Sequence, residues 1–212
     1  MSAAGRVRGG VFVTIDGMGG AGKSTTTRQL RQRLIEAGYD VHATTQPSQD
    51  QLGRIARKGT DTYTGHALAC LVAADRYHHL ATQIHPQLAA GRIVLCDRYV
   101  ASSYVLQRLD GVPLQFIENL NAAADRPDLA VILTADPDVA ATRIAHRGAH
   151  SRFEAGPQTS RQEADLYRDT IARLADHGYP LLSLDTTHTP TDQIVTLLTS
   201  RIAQLAALPP PQ

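Results

Sequence analysis

Five short apolar runs, at residues 11–15, 40–44, 92–96, 129–134 and 180–184, alternate with longer amphipathic segments. This alternation constrains the fold more than any other feature. Helical periodicity is read at 23–37, 64–90, 101–109, 113–123, 137–147, 162–177 and 191–206. Asp136 before Pro137 and Thr189 before Pro190 have the form of N-terminal caps with proline in the first turn. Apolar strands that alternate with helices predict an α/β protein, with a parallel sheet covered on both faces. In such sheets ligands bind beyond the carboxyl ends of the strands, so the residues following 15, 44, 96, 134 and 184 should converge on a site.

Composition narrows the classes. The chain has 212 residues, 42% hydrophobic and 19% charged, the balance of one ordinary globular core. We expect a single domain over 10–207, between a flexible segment at 1–9 and a Pro-rich tail at 208–212. A formal net charge of +1 gives no basic footprint for nucleic acid, and no apolar window is long enough for a membrane span. Cys70 and Cys96 read as isolated thiols in apolar surroundings, too few for a disulfide framework, so a reducing, cytoplasmic setting is expected.

One segment carries specific chemistry. Gly17-Met18-Gly19-Gly20-Ala21-Gly22-Lys23-Ser24 fits G-x-x-x-x-G-K-[ST], with a strand before it and a helix after it, the context that the motif requires. Residues with little or no side chain let backbone N–H groups turn onto a phosphate, and the helix N-terminus adds partial positive charge. Lys23 can bridge phosphate oxygens, Ser24 can hold Mg²⁺, and Thr25 follows within the same turn. A GTPase would need a later Asn-Lys-x-Asp, and Lys23 and Lys58, the only lysines, do not provide it.

Two further clusters lie at predicted strand or helix ends. Asp97-Arg98-Tyr99 follows the third strand, where a carboxylate can orient metal-bound water and a guanidinium can fork onto phosphate. Residues 146–156 combine arginines with glycines, as a lid over a nucleotide would. Arg143 and Arg147, at i and i+4, are expected on one helix face, directed at a triphosphate.

The order of these motifs resembles the thymidylate kinase family over residues 11–202. The resemblance rests on Thr14-Ile15-Asp16-Gly17 with Ala21-Gly22-Lys23-Ser24-Thr25, on Ala74-Asp75-Arg76, and on Asp97-Arg98-Tyr99 with Ser102-Ser103 and Gln107. Arg147-Gly148, Arg152 and Glu154 look like the family's lid, and Leu184-Asp185-Thr186-Thr187 like its adenine loop. It implies a three-layer P-loop kinase fold with a five-stranded parallel sheet and a short lid at about 147–160. It also implies Mg²⁺- and ATP-dependent phosphoryl transfer to a nucleoside monophosphate, most simply dTMP to dTDP, by a homodimer. Lys23, Arg98, Arg152 and Asp97 would then be catalytic, with Ser24 and Asp97 at the metal. The P-loop, Arg143, Arg147, Thr186 and Thr187 would hold ATP. Asp16, Gln46, Val72, Arg76, Arg98, Ser103, Leu106 and Gln107 would form the acceptor side.

Departures fall mostly on that acceptor side. Thr45-Gln46-Pro47 replaces a charged Arg-Glu-Pro, and Val72 stands where the family stacks a phenylalanine. Leu106 replaces a tyrosine, Ala149 an additional lid arginine, and Gly19 an acidic P-loop residue. They leave two alternatives beside dTMP: a different small acceptor, and an ATP-binding module without transfer.

Overall fold

The computed structural model describes residues 10–149, 151–154 and 156–207. The flexible N-terminal segment and Pro-rich tail expected from the sequence lie outside the described residues. Five parallel strands form one sheet: β1 (Val11–Gly17), β2 (Val41–Thr45), β3 (Ile93–Asp97), β4 (Leu129–Thr134) and β5 (Leu181–Asp185), in spatial order β2-β3-β1-β4-β5. The middle strands β3, β1 and β4 are mostly apolar and buried but for a partly buried Asp97 and Thr134, whereas the edge strands β2 and β5 are only partly buried. That difference follows from having helices on both faces in the middle of a parallel sheet.

Helices α1 (Lys23–Glu36) and α9 (Thr191–Ala206) pack together on one face. The other face carries α4 (His85–Ala89), α5 (Val100–Leu109) and α8 (Pro157–Asp176), with α3 (Gly65–His79) and α6 (Leu114–Asn121) packed on α5, and α7 (Pro137–Arg147) on α8. A π turn, Leu80–Ile84, joins α3 to α4, so the expected 64–90 helix is continuous but locally widened. At that turn Thr44 of β2 hydrogen-bonds to Gln83 Oε1 at 2.7 Å and to His79 Nε2 at 2.9 Å.

Several expectations need correction. Four strands extend into the polar residue beyond their expected ends, so Asp16, Thr45, Asp97 and Asp185 belong to the ladder, with Asp97 opposite both Ile15 and Thr45. The helix α2 (Gln51–Lys58) is absent from the periodicity, whose pattern Gly53 interrupts. Gly53 is there for space: a Cβ would sit 2.2 Å from the Ser48 carbonyl oxygen. The α8 helix starts at Pro157, well before residue 162, using proline's fixed φ in its first turn. Asp136 caps α7 by accepting from the Asp138 and Val139 amides, but Thr189 caps nothing, since Pro190 occupies the N-cap of α9. Cys96 is buried as expected, and Cys70 is exposed.

Candidate active site

The central strand β1 delivers the glycine-rich loop to the carboxyl edge of the sheet, between β3 and β4. Glycine is required at Gly17, where φ is 143° and a Cβ would lie 2.1 Å from the Leu133 carbonyl oxygen. It is also required at Gly22, whose left-handed φ of 86° turns the chain into α1. Lys23 is then the first residue of the helix and is buried, its Nζ donating to the Met18 carbonyl at 2.7 Å. Burial and the neighbouring Arg98 lower its pKa to about 8, while Glu163, Asp97 and Glu154 oppose the shift.

Ser24 Oγ donates to Asp97 Oδ2 at 2.7 Å, so the two expected metal residues meet. Asp97 Oδ1 is buried without a partner. One free carboxylate oxygen beside a hydroxyl at a P-loop suits Mg²⁺, which takes one or two protein oxygens and completes its shell from phosphates and water. Among the described residues no three His, Cys, Asp or Glu side chains cluster as a metal cage, and this mode of binding needs none.

Arg98 follows β3 with a left-handed φ of 71°, a conformation uncommon for a side-chain-bearing residue, held by its amide donating to the Ile15 carbonyl at 3.0 Å. Burial alone would lower the pKa of its guanidinium, but Tyr167, Asp97, Glu163 and Asp16 outweigh burial and raise it. Its Nη1 is buried without a hydrogen-bond partner, an unused donor on a residue that lines the cleft.

A single cleft runs from the P-loop to a second wall. It is lined by Gly20, Gly22, Lys23, Ser24, Thr25, Asp97, Arg98 and Arg147 on one side and by Gln46, Val72, Arg76, Ser103, Leu106 and Gln107 on the other. Arg76 is 1% exposed and donates to Gln46 Oε1, Ser103 Oγ, the Tyr99 carbonyl and Asn121 Oδ1. The uncharged Gln46 also meets His79 Nδ1 at 3.2 Å. Its turn is fixed by Asp75, which accepts from both the amide and the hydroxyl of Ser48. Gln107 Oε1 is buried and unpartnered, an acceptor available to a ligand N–H.

Other expected residues stand elsewhere. Asp16 does not line the cleft: its Oδ1 accepts from the amides of Tyr99 and Ser102 and from Ser102 Oγ, all within 2.9 Å. A short carboxylate on a central strand meets the amides at the start of α5, which have no intrahelical partner, before it reaches solvent. Burial raises its pKa, against these hydrogen bonds. Arg152 does not face the P-loop either. Its Nε donates to the Thr60 carbonyl at 2.7 Å and its Nη2 pairs with Asp110 at 2.7 Å, which ties it to the residues just after α2 and α5.

Arg143 and Arg147 share a helix but serve two hollows. Arg147 pairs with Glu154 at the main cleft. Arg143 donates to the carbonyls of Thr186 and Thr187 beside a second hollow, which Ala21, Gly22, Thr186 and Thr187 help to line. Gly17 and Gly19 line neither hollow. The Gly19 amide instead donates to Glu163 Oε2 at 3.0 Å.

Several residues at the site were not singled out from the sequence. Arg57 lines the cleft and donates to the Pro47 carbonyl, and it rides on the unread α2. Thr60 and Phe153 also line it. Glu163 carried a usable signal: with Tyr167, Thr170 and Leu174 it forms the buried stripe of α8, where a carboxylate needs a reason.

A phosphate loop on the central strand of a five-stranded parallel sheet, opening into a cleft with a second polar wall, defines the class: a P-loop protein with a two-part ligand site. Comparison with known proteins gives the family. The thymidylate kinase model matches residues 15–195. A probable thymidylate kinase of Pyrobaculum aerophilum is 37% identical over 175 residues, 81% of this chain and 86% of that protein. A probable thymidylate kinase of Staphylothermus marinus is 35% identical over 176 residues, 82% and 85% of the two chains. The thymidylate kinase of Clavibacter sepedonicus is 40% identical over 153 residues, 68% and 72%. The chain belongs to the thymidylate kinase family.

Proposed function

We propose that this protein transfers the γ-phosphoryl group of ATP to dTMP, giving dTDP, with Mg²⁺ as the accompanying ion. The observation that carries the reading is the continuous cleft with Lys23, Ser24 and Asp97 at one end and Arg76, Ser103 and Gln107 at the other. Mg²⁺ would sit at Ser24 and Asp97, where it supplies charge neutralisation for the phosphates. Lys23 leaves the Met18 carbonyl to meet the β- and γ-phosphates, and Arg98 holds the acceptor phosphate with its unpartnered donor. Because phosphoryl transfer has a loose transition state, holding the two phosphates in line and compensating their charge is most of the catalysis. Arg143, Thr186 and Thr187 border the adenine side, and Gln107 Oε1 accepts from the base.

The same proposal covers the molecule's setting: a single catalytic domain over 10–207, in the cytoplasm, acting as a homodimer. Among the described residues no helix is long and apolar enough to cross a membrane. Exposed Ala67, Cys70, Ala74 and Ala81 recur along one side of the 64–90 helix and offer a surface for close helix pairing. A single monomeric mass by light scattering at assay concentrations would overturn the dimer.

Incubation with Mg-ATP and a panel of dTMP, dUMP, UMP, CMP, dGMP and nucleosides, read as ADP release, tests the activity. We expect dTMP to give the highest kcat/KM. Turnover with another acceptor and none with dTMP would sink the assignment, and no turnover at all would favour an ATP-binding module.

A further inference from the structure

An aromatic ring is the usual partner for a flat base, and the acceptor wall offers Val72 and Leu106 instead. Among the described residues lining the cleft one aromatic side chain remains, Phe153. It is 9% exposed and lies outside the hydrophobic core cluster. It lies in the 3₁₀ turn Arg152–Glu154, which is pinned at both ends: Arg152 to Thr60 and Asp110, Glu154 to Arg147. The Arg152 guanidinium lies over the ring, 4.4 Å from its centroid, and Phe153 lines the cleft together with Val72, Leu106 and Thr60.

We propose that Phe153 is the specificity-determining aromatic of the acceptor site: its ring covers the acceptor base, so that base recognition arrives with the lid. The inference rests on the reading of the acceptor as a nucleotide. Stacking on an aromatic side chain contributes about 1–3 kcal/mol per base in single-strand binders, which corresponds to roughly 5- to 150-fold in affinity. The fixed wall here supplies shape and polar groups but no aromatic ring. A base that enters while the lid is open therefore lacks this part of its binding energy.

Steady-state kinetics of the full chain with Mg-ATP test it. Phe153→Leu keeps apolar bulk and lid packing but removes the ring, and should raise KM for dTMP about 5- to 150-fold. KM for ATP should stay within about twofold. Phe153→Tyr should restore most of the loss, as should Val72→Phe placed in the Phe153→Leu background, where the ring returns from the opposite wall. A KM for dTMP in Phe153→Leu equal to that of the parent protein overturns the ring's role, and so does an equal rise in both KM values, which would mark general lid damage. If the parent protein does not use dTMP, the dTMP reading fails by itself, and the same variants are read with the acceptor that the panel identifies. An acceptor without a base overturns this proposal as well.

Discussion

The phosphate-loop side of the cleft takes Gly20, Gly22, Lys23, Ser24 and Thr25 from one continuous run, joined by Asp97, Arg98 and Arg147. The acceptor wall instead draws Gln46 from the loop after β2, Arg76 from α3, and Ser103 and Gln107 from α5. The first kind of site is set by local geometry, so its glycines and lysine suffice to specify it. The second is set by side chains that hold one another, as when Arg76 ties Gln46, Asn121 and Ser103 together. A substitution on the loop side should therefore remove chemistry, and one on the wall should re-aim recognition.

The largest expected effect lies on the loop side. Lys23→Ala should lower kcat about 10²- to 10³-fold while the folded protein still binds dTMP, because the lost charge meets the transferring phosphoryl group. Unchanged turnover would remove Lys23 from the chemistry and break the contrast. Next, Arg98→Ala should lower kcat/KM for dTMP by about 10²-fold or more. Separate calorimetric titrations should show ATP binding retained, and equal loss of both ligands would make Arg98 a common element rather than an acceptor one.

Protonation sharpens the comparison further. Lys23 is charged below its pKa of about 8 and loses that charge as pH rises through it, so kcat/KM for ATP should fall on the alkaline side near pH 8. Glu163 works against this lowering, as do Asp97 and Glu154, whereas Arg98 deepens it. Glu163→Gln should therefore move the alkaline fall to lower pH, and a profile identical to the parent's would show that Glu163 does not act on Lys23. The smallest effect belongs to the latch: Asp110→Asn, which loosens a partly exposed pair with Arg152, should raise KM for dTMP about 2- to 5-fold and leave that for ATP alone. A larger change in the ATP value would place the latch on the donor side.

Much of the donor side was legible in the sequence, because spacing alone brings Gly17–Lys23 between a strand and a helix. The five strands and most helices were legible for the same reason, through period and run length. Strand ends were read short where a polar residue followed, since a parallel ladder pairs backbone atoms and is indifferent to the side chain of Asp97 or Asp185. The α2 helix was hidden by Gly53, whose presence reflects the close approach of Ser48 from outside the helix. Asp16 and Arg152 were legible as chemistry but not as direction. A short carboxylate beside the amides of Tyr99 and Ser102, and an arginine within reach of Asp110, turn toward partners that only the folded chain supplies. The burden carried by Glu163 could have been found from its place in the stripe with Tyr167, and that of Phe153 could not, because a lid turn has no period.

Asp16 also fixes a length. It leaves the same strand that carries the phosphate loop and grips the first turn of α5, the helix that bears Ser103 and Gln107. The strand and the acceptor wall thus behave as the two jaws of a caliper locked by one buried carboxylate. The spacing between the phosphate loop and the opposite wall is therefore set in the sheet before any ligand arrives.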